Sequence, residues 1–402
     1  MKTILSLFFV LIIARAEFDN EIDCKISTVY AKNQSKPLIL TYTSNPTFVL
    51  PDENRFVRVT RNTSILLACP GSGFVNFKSQ NLVKATCVSG GKFLIDSKVQ
   101  EIDGVNCSKP IKEVVKKNNA GCLNGRAARY DIGFSLNQSY FLPLMEICRN
   151  DSSYETFYTH GSIVKEIRSY QEKVARPFWK AGAHYRGFNV NAAYKVQSEV
   201  VSFAQLLGSK ELADRYVKPK TNFYLNRGHL MAKADFVYAA QQVATFWLLN
   251  TAPQWASVNA GNWLSVEMAV REYSSRNGLD LDVYTGVHGQ MSLEDVNGEQ
   301  QPVYLHTNGS RRIMAVPRFF WKVVHDRAGN RATAFVSVND PYLSNATETG
   351  AYLCGDRSSE SFSWLGWRAD NVTAGLSYVC SVPELREKVP TIPDLGDIGL
   401  LV

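Results

Sequence analysis

The sequence predicts an α+β fold in which a central antiparallel or mixed sheet is flanked by helices and preceded by a small β-rich, disulfide-stapled domain. Short apolar or alternating runs between turn-forming clusters fill residues 17–120. Runs with helical periodicity follow, and β-rich runs return after residue 281. The chain has 402 residues, more than the roughly 100–200 of one domain. We therefore expect a signal peptide at 1–16, a β-rich domain at 17–120, a larger domain at 121–390 and a tail at 391–402.

The N-terminal segment has the pattern of a secretory signal peptide. Lys2 supplies the positive end, Ile4–Ile13 the apolar core, and Ala14 to Ala16 a small-x-small cleavage pattern. The apolar run is too short for a membrane-spanning helix of about 20 residues, although an uncleaved anchor is the alternative. We expect a secreted, extracellular protein that begins near Glu17 and has no stable association with membranes.

Eight asparagines begin N-x-Ser/Thr sequons, the acceptor pattern for N-glycosylation. They are Asn33, Asn62, Asn106, Asn137, Asn150, Asn308, Asn345 and Asn371. Each sequon alone is weak evidence, but together they fit the secreted glycoprotein that the first residues predict.

Eight cysteines follow the signal peptide, and an even number in an oxidising compartment predicts four disulfides. The local pairs Cys122–Cys148 and Cys354–Cys380 are expected. The other four pair within the N-terminal region in an order that the spacing leaves open. They are Cys24, Cys69, Cys87 and Cys107. Because the chain has no C-x-x-C pair and no H-E-x-x-H motif, a zinc site is unsupported.

The charge of the chain does not by itself predict nucleic-acid binding. The formal net charge is +7, with 44 basic and 37 acidic residues. It falls to +5 without Lys2 and Arg15, and residues 125–402 are nearly neutral. Any basic groove must therefore be local. The sequence has no G-x-x-x-x-G-K-[ST] loop or G-x-G-x-x-G fingerprint, so dependence on ATP or NAD is not suggested.

Residues 17–120 contain five strand-like runs: KPLILTY, FVRVT, SILLACP, NLVKATCV and GKFLI. They carry no acid–base constellation. The modest positive charge of this region either helps to hold nucleic acid or belongs to a solvated surface, which is the more common situation.

Residues 222–271 hold the side chains that phosphodiester hydrolysis requires. His229 has the titration range of a general base, and Arg227 offers a planar fork of donors to phosphate. From Asn259 onward the spacing is helical, at about 100° per residue. Asn259, Glu267 and Arg271 would then face one cleft from a single helix. Asn259 is a candidate ligand for Mg²⁺, which prefers oxygen donors and needs few protein contacts.

Each of these residues also has a purely structural interpretation. A single histidine such as His229 is more often a hydrogen-bonded structural residue. Asn259 is suited to a helix N-cap. Glu267 and Arg271 are four residues apart, so they can form an ordinary helical ion pair worth a few tenths of a kcal/mol. The constellation is more specific than its parts.

The motifs of this stretch resemble the DNA/RNA non-specific endonuclease family of ββα-metal nucleases. They are NRGH followed by AKADF, then N-x-x-P-Q from Asn250, then N-x-G-x-W from Asn259. The chain looks most like the secreted arthropod members, several of which act on double-stranded RNA. The resemblance covers roughly Gly125 to Pro383. It also implies that the sheet and helices form a ββα-metal nuclease core.

The resemblance implies roles for individual residues. His229 is the general base and Asn259 binds Mg²⁺ directly, with Mn²⁺ as a substitute. Glu267 holds metal-bound water, and Asn250 supports the site. Arg227 and Arg271 bind phosphate or stabilise the transition state. Asn226 departs from the family pattern, which has Asp at this position, so the orientation of His229 is open.

The flanking segments supply further candidates. The family often places a phosphate-contacting arginine upstream, and either Arg176 or Arg186 suits that role. Residues 232–249 favour a helix. The run LDVYTGVHG is expected to be a buried strand, and RRIMAVPRFFWKVVHD with RATAFVSVND a hairpin of the central sheet. Lys322 is expected to be a solvent-facing strand lysine, with a phosphate contact as the alternative. Three further histidines, His288, His306 and His325, are expected to be structural, and His184 is expected to be structural or at the surface.

Together these features predict a secreted, Mg²⁺-dependent endonuclease that hydrolyses double-stranded RNA, DNA or both and leaves 5′-phosphates. Nucleic acid is the expected partner, and no protein partner is implied. The alternative is a catalytically inactive, secreted nucleic-acid-binding glycoprotein, for which Asn226 is the best support. A phosphodiesterase or nucleotidase for small substrates is the third interpretation.

Overall fold

We analysed a computed structural model that describes residues 23–29, 35–77, 80–344 and 350–402. The predicted signal peptide at 1–16 lies outside these residues, and so do the sequon asparagines Asn33 and Asn345.

The N-terminal region is built from strands, as the sequence predicts. They are β1 (Cys24–Ser27), β2 (Leu38–Thr41), β3 (Phe56–Val59), β4 (Ser64–Ala68), β5 (Leu82–Ser89), β6 (Lys92–Ile95) and β7 (Lys98–Glu101). A five-stranded sheet has the order β2-β4-β5-β6-β7, and β1 pairs with β3. Two disulfides, Cys24–Cys87 and Cys69–Cys107, lie in the apolar core of this region. All five predicted strands are present, while β1 and β7 were not predicted.

The remaining strands form one large sheet and several hairpins. They are β8 (Val114–Cys122), β9 (Ala127–Ser135), β10 (Phe141–Asn150), β11 (Glu155–Ile163), β12 (Leu225–His229), β13 (Thr251–Trp255), β14 (Leu281–Gln290), β15 (Ser292–Glu294), β16 (Gln300–Pro302), β17 (Tyr304–Asn308), β18 (Arg311–Ala315), β19 (Pro317–Asp326), β20 (Arg331–Val338), β21 (Ser377–Cys380) and β22 (Gly399–Leu400). The large sheet has the order β21-β20-β19-β14-β11-β10-β9-β8, with β22 added on β20. Only the β20–β22 pair of this sheet is parallel. The predicted strand at β14 is confirmed, and so is a hairpin of the large sheet between β19 and β20. The first part of the predicted hairpin was wrong, because residues 311–315 form β18, which pairs with β17 outside the large sheet.

Seven α-helices accompany these sheets in the described residues. They are α1 (Val190–Ala193), α2 (Val196–Leu207), α3 (Lys210–Tyr216), α4 (Ala239–Ala244), α5 (Ala256–Asn259), α6 (Asn262–Asn277) and α7 (Val382–Lys388). Together with the sheets they confirm the predicted α+β class. The disulfides Cys122–Cys148 and Cys354–Cys380 are also confirmed.

The helix predicted over residues 232–249 is largely wrong. Only α4 is α-helical, and short 3₁₀ turns at Lys233–Asp235 and Leu248–Asn250 flank it. The first turn is closed by the Asp235 carboxylate, which accepts a hydrogen bond from the backbone N–H of Ala232 at 3.0 Å. Side chains that bond to nearby backbone compete with helix formation.

The helix predicted from Asn259 is interrupted. Helix α5 ends at Asn259 and α6 starts at Asn262. At Gly261 a Cβ atom would lie 2.5 Å from the carbonyl oxygens of Ser257 and Ala374. The buried Asn262 side chain donates hydrogen bonds to the carbonyl oxygens of Arg368 and Gly375, each at 2.7 Å. The contacts of Gly261 and Asn262 with residues 368–375 therefore fix where α6 begins. The spacing of apolar residues along the sequence does not reveal such contacts.

The N-terminal sheet packs against the rest of the molecule through a shared core. Leu38, Leu40 and Ala68 belong to the same buried cluster as residues of the large sheet and α6. The large sheet begins at β8, before residue 121. The domain boundary proposed near residue 120 stays a prediction.

No helix among the described residues is long and apolar enough to cross a membrane.

The buried side chain of Asn339 joins the antiparallel strand pair β12–β13 to the large sheet. The Asn339 amide follows β20, and its oxygen accepts from the backbone N–H of Trp255 at 2.9 Å. Its nitrogen donates to the carbonyl oxygens of Pro253 at 3.2 Å and Pro317 at 2.8 Å. This side chain therefore ties the end of β13 to the start of β19.

Replacing Asn339 with alanine should destabilise the protein by at least about 3 kcal/mol, because three buried backbone groups would each lose a partner at about 1–3 kcal/mol. The measurement is the midpoint and slope of urea unfolding. Asn297→Ala, in an exposed turn, is the control and should change stability by less than about 0.5 kcal/mol. Equal midpoints for the two variants would contradict the bridging role.

Candidate active site

The antiparallel strand pair β12–β13 presents Arg227 and His229 on one face. Residues two apart in a strand point to the same side, and His229 lies opposite Thr251 in the antiparallel register. Between them, Gly228 allows a close approach: a Cβ atom there would lie 2.4 Å from Oε1 and 2.7 Å from Cβ of Gln254. The R-G-H sequence thus places two functional side chains on one face while their backbone packs tightly.

His229 lies in an aromatic pocket and is 8% exposed. Its ring centre is 4.6 Å from that of Trp179 and 5.0 Å from that of Phe246. Burial, with the positive charges of Arg176 and Lys233, lowers the pKa of His229 to about 3. The imidazole is therefore neutral at pH 7. Because an unfolded chain binds this proton near pH 6.5 and the folded one does not, this group reduces stability as the pH falls below about 6.5.

Thr245 orients the imidazole, and the sequence analysis missed it. Its Oγ1 lies 3.4 Å from Nε2 of His229. The same hydroxyl donates its one proton to the carbonyl oxygen of Gln242 at 2.8 Å. Oγ1 can therefore only accept from Nε2–H, which places the ring proton on Nε2. Nδ1 has no hydrogen-bond partner among the described residues, so its lone pair is available to a ligand.

Asn250 is fully buried, and its amide joins two backbone segments. Oδ1 accepts from the N–H of Met231 at 2.9 Å, and Nδ2 donates to the carbonyl oxygens of Met231 at 2.9 Å and Thr245 at 3.1 Å. Met231 lies two residues beyond His229, and Thr245 is the partner of that histidine. Since all its polar atoms are bonded to backbone, this asparagine positions other residues.

Asn259 is the last residue of α5 and is half-buried. Within the described part of the chain, its side-chain amide makes no hydrogen bond, so its oxygen is available to a ligand. The N-cap position of α6 is Gly261, so the alternative of Asn259 as the cap of the long helix does not hold. No hydrogen bond links Asn259 to His229 or Glu267 in this part of the chain.

Glu267 lies on α6, and several charged side chains act on it. Burial and repulsion by Asp235 raise its pKa to about 7. The positive charges of Lys322, Arg271 and Arg176 act in the opposite direction. Its carboxylate has no hydrogen-bond partner among the described residues. Arg176 also acts on His229, so its charge links the two halves of the site.

Lys322 is buried, which corrects the expectation of a solvent-facing strand lysine. It is 1% exposed, and Nζ donates to Oγ1 of Thr285 on the neighbouring strand at 2.6 Å. Nζ also lies 5.6 Å from the ring centre of Trp263. Burial lowers the pKa of Lys322, while the carboxylates of Asp235 and Glu267 raise it. Strand alternation did not reveal this because both faces of β19 are covered.

Arg271 pairs with Asp235 rather than with Glu267. Its Nη1 lies 2.8 Å from Oδ1 of Asp235, which is buried. The helical ion pair considered from the sequence is therefore not formed. The pairing holds the guanidinium through its Nη1, and the positive charge of Arg271 acts on Glu267.

Arg227 is half-buried and bonded to α1. Its Nη2 donates to the carbonyl oxygen of Asn191 at 3.2 Å and to the side-chain oxygen of that residue at 3.1 Å. The guanidinium lies 4.7 Å from the ring centre of Tyr194. Burial lowers its pKa, but an arginine remains charged at neutral pH.

Of the two upstream arginines, Arg176 is the one placed at the site. Its guanidinium lies 5.2 Å from the ring centre of Phe246, and its charge acts on His229 and Glu267. Arg186 is exposed, with no such effect on either residue.

Asn226 lies on the face of β12 opposite His229, because the two are an odd number of positions (three) apart in the strand. Its Oδ1 accepts a hydrogen bond from the backbone N–H of Arg227 at 2.8 Å. An acidic side chain here could accept the same bond, so the loss of the carboxylate does not remove a direct partner of the imidazole.

The available oxygen donors of Asn259 and Glu267 are of the type that a hard cation takes. The described residues contain no group of three or more His, Cys, Asp or Glu side chains that could hold a metal. They do provide the unpartnered amide oxygen of Asn259 and the unpartnered carboxylate of Glu267. Mg²⁺ favours such oxygen donors and retains several waters, so these residues suit it better than zinc.

Comparison with known proteins gives one family and several relatives. The model for the DNA/RNA non-specific endonuclease family matches residues 125–385. A salivary endonuclease of Lutzomyia longipalpis is 27% identical over 376 residues, which cover 92% of this chain and 82% of that protein. The salivary protein Tsal2A of Glossina morsitans morsitans is 25% identical over 379 residues, 92% of each chain. A salivary endonuclease of Culex quinquefasciatus is 24% identical over 331 residues, 80% of this chain and 82% of that protein.

Among solved structures, a chain of the EndoG/EndoGI complex aligns with a TM-score of 0.35 and 17% identity. The alignment covers 56% of this chain and 83% of that chain.

The hydroxyl of Thr245 should fix the tautomer of His229. In protein labelled with ¹⁵N-histidine, the ¹⁵N chemical shifts of His229 at pH 7 should show that Nε2 is protonated and Nδ1 is not. Thr245→Ser should keep this pattern, whereas the isosteric Thr245→Val should shift His229 toward a mixture of tautomers. His229→Gln assigns the signal among the six histidines. A wild-type spectrum with the proton on Nδ1 would contradict the assignment.

Proposed function

The chain belongs to the DNA/RNA non-specific endonuclease family, and on that premise we propose that it is a secreted, Mg²⁺-dependent, sugar-non-specific endonuclease. Its substrates are double-stranded RNA, DNA or both. The observation that carries the proposal is the neutral, buried His229 with an unpartnered Nδ1. The charge of Arg176 acts on both His229 and Glu267, and the side-chain amide of Asn259 has no hydrogen-bond partner among the described residues.

In the proposed mechanism, Nδ1 of His229 removes a proton from a water molecule. The water oxygen attacks phosphorus, and the bond from phosphorus to the 3′ oxygen breaks. The 3′ oxygen takes a proton from a second water molecule and leaves as a hydroxyl, His229 returns its proton to the solvent, and the fragment that keeps the phosphorus carries a 5′-phosphate. A neutral imidazole is required for the first step, and burial among Trp179 and Phe246 keeps it neutral.

Arginines supply the charge that phosphate requires. Arg176 and Arg271 flank Glu267, and Asp235 holds Arg271 in place. A guanidinium donates to two phosphate oxygens at once. The hydrogen bonds of Arg227 to Asn191 suggest that it orients α1 and reaches phosphate with its remaining donors.

The metal is Mg²⁺, with Mn²⁺ as a substitute. Asn259 would bind it directly and the Glu267 carboxylate would lie beside it. When bound, such an ion neutralises charge on the scissile phosphate and the leaving oxygen. The role of Asn250 is to hold the backbone around His229, so we propose it as a positioning residue.

Recognition in this proposal is through the phosphate backbone, which DNA and RNA share. Contacts of this kind carry no base information and weaken as salt increases. Double-stranded RNA is included among the proposed substrates because several of the arthropod family members that this sequence resembles act on it. Secretion is supported by four disulfides, by the relatives named as salivary proteins and by the sequons.

The alternative, a catalytically inactive nucleic-acid-binding glycoprotein, is less well supported. Its main support was Asn226, whose side chain bonds to the backbone on the face away from His229.

Replacing His229 with alanine should lower the turnover of plasmid DNA and long double-stranded RNA by at least about 10²–10⁴-fold, the contribution of a general base. EDTA should abolish cleavage by the wild-type protein. Circular dichroism and an unchanged unfolding midpoint check that the variant is folded. Near wild-type cleavage by the variant would overturn the assignment of His229.

Replacing Asn259 with alanine should raise the Mg²⁺ concentration needed for half-maximal rate as well as lower the rate. A direct oxygen ligand is lost, and water must replace it. Initial rates are measured across a Mg²⁺ titration. Asn297→Ala provides the matched control and should leave the titration unchanged. A variant with a lower rate but the same Mg²⁺ dependence would argue against direct ligation.

A further inference from the structure

One side chain beside the site has almost no contact with the protein. Phe178 is 96% exposed, by far the largest exposed fraction of any large apolar side chain among the described residues. Single exposed apolar residues are common, so exposure alone carries no function. Its neighbours in the chain give it significance.

Phe178 lies between two residues that contact the site. Arg176, two residues earlier, acts by charge on His229 and Glu267. Trp179, the next residue, packs its ring 4.6 Å from the ring of His229. Phe178 is thus an exposed ring on a segment whose neighbouring side chains, Arg176 and Trp179, act on or contact the site.

The segment 171–180 is fixed at both ends, so Phe178 is presented from a held backbone. At its start, the N–H of Gln171 donates to the carbonyl oxygen of Val237 at 2.8 Å. At its end, the N–H of Lys180 donates to the carbonyl oxygen of Phe246 at 2.9 Å, and the N–H of Leu248 donates back to Lys180 at 2.9 Å.

Further side chains reinforce these ends. Glu172 forms an ion pair with Arg55, and Lys180 forms one with the buried Glu113. Pro177 restricts the backbone directly before Phe178. The backbone on both sides of Phe178 is therefore held, at residues 171–172 and at Lys180.

The charge around the ring selects the kind of ligand. Arg176 and Lys173 lie on the same segment and are exposed. The acid of the segment, Glu172, is already paired with Arg55. An apolar ring next to exposed cations suits a polyanion that also offers flat apolar surfaces, and nucleobase faces are such surfaces.

We propose that Phe178 forms a base-binding subsite, stacking on the nucleobase next to the scissile phosphate. This rests on the proposed nuclease function and adds a contact outside the phosphate backbone. Every base has a π face, so such a contact tolerates any sequence. A base in a duplex is already stacked on its neighbours, so the subsite favours substrates in which that base is unpaired.

The test compares Phe178→Trp, Phe178→Leu and Phe178→Ala in the full-length secreted protein. Binding is measured in EDTA with an oligonucleotide that contains one 2-aminopurine, whose fluorescence falls when it stacks. Cleavage is measured with Mg²⁺ on the same duplex with and without an unpaired base. Tyr42→Leu, at an exposed aromatic in the N-terminal region, is the matched control.

We expect Phe178→Ala and Phe178→Leu each to weaken binding and raise KM by about tenfold, the effect of losing one stacked base. Phe178→Trp and Tyr42→Leu should resemble the wild type, and kcat should change little in all four. The preference for an unpaired base should disappear with the alanine and leucine variants. Because Phe178 is exposed, none of these changes should lower the unfolding midpoint.

Two results would overturn the subsite: leucine performing as well as phenylalanine, or cleavage and binding that do not respond to residue 178. If either of these results is found while the wild-type protein cleaves nucleic acid normally, the subsite is wrong and the proposed nuclease function still stands. Wild-type protein that quenches 2-aminopurine through Phe178 but cleaves nothing supports the subsite and refutes the nuclease function.

Discussion

The geometry of the candidate site depends on the buried amide of Asn250. It bonds to both backbone groups of Met231 and to the carbonyl oxygen of Thr245. Met231 follows the strand that carries His229, and Thr245 ends the helical segment that faces the imidazole. The distance between the base and the hydroxyl that orients it is thus set by a third residue. A fully bonded buried amide is rigid because any displacement leaves a polar group without a partner.

The charges around Glu267 follow a second constraint. Burying an ion is unfavourable unless it is paired, and here two carboxylates, Asp235 and Glu267, lie among three cations, Arg176, Arg271 and Lys322. Asp235 and Lys322 are almost completely covered, while Arg176 is exposed. The buried members therefore fix the arrangement, and the cations outnumber the carboxylates, which leaves the site suited to an anion.

Local sequence patterns predicted what depends on neighbouring residues. Short apolar or alternating runs of residues identified five N-terminal strands. The motifs around Arg227, His229 and Asn259 identified the stretch that forms the strand pair β12–β13 and the helices of the site. Residues that act across the chain were not predictable in this way. Thr245, the buried state of Lys322 and the break at Gly261 arise from contacts with segments sixteen to more than one hundred residues away. The choice between Arg176 and Arg186 likewise required the fold, since both occur in similar basic and aromatic surroundings.

The cysteines are distributed so that residues 149–353 contain none, and all four bridges are formed outside the strands and helices that carry the site. No thiol is therefore available to take part in the chemistry. A reducing agent cannot act on a reacting group, and any activity it removes must be lost through the scaffold. Inactivation by dithiothreitol would then be slow and would follow the rate at which the disulfides are reduced. Loss of activity in dithiothreitol would therefore report on the integrity of the fold and not on inhibition of the site.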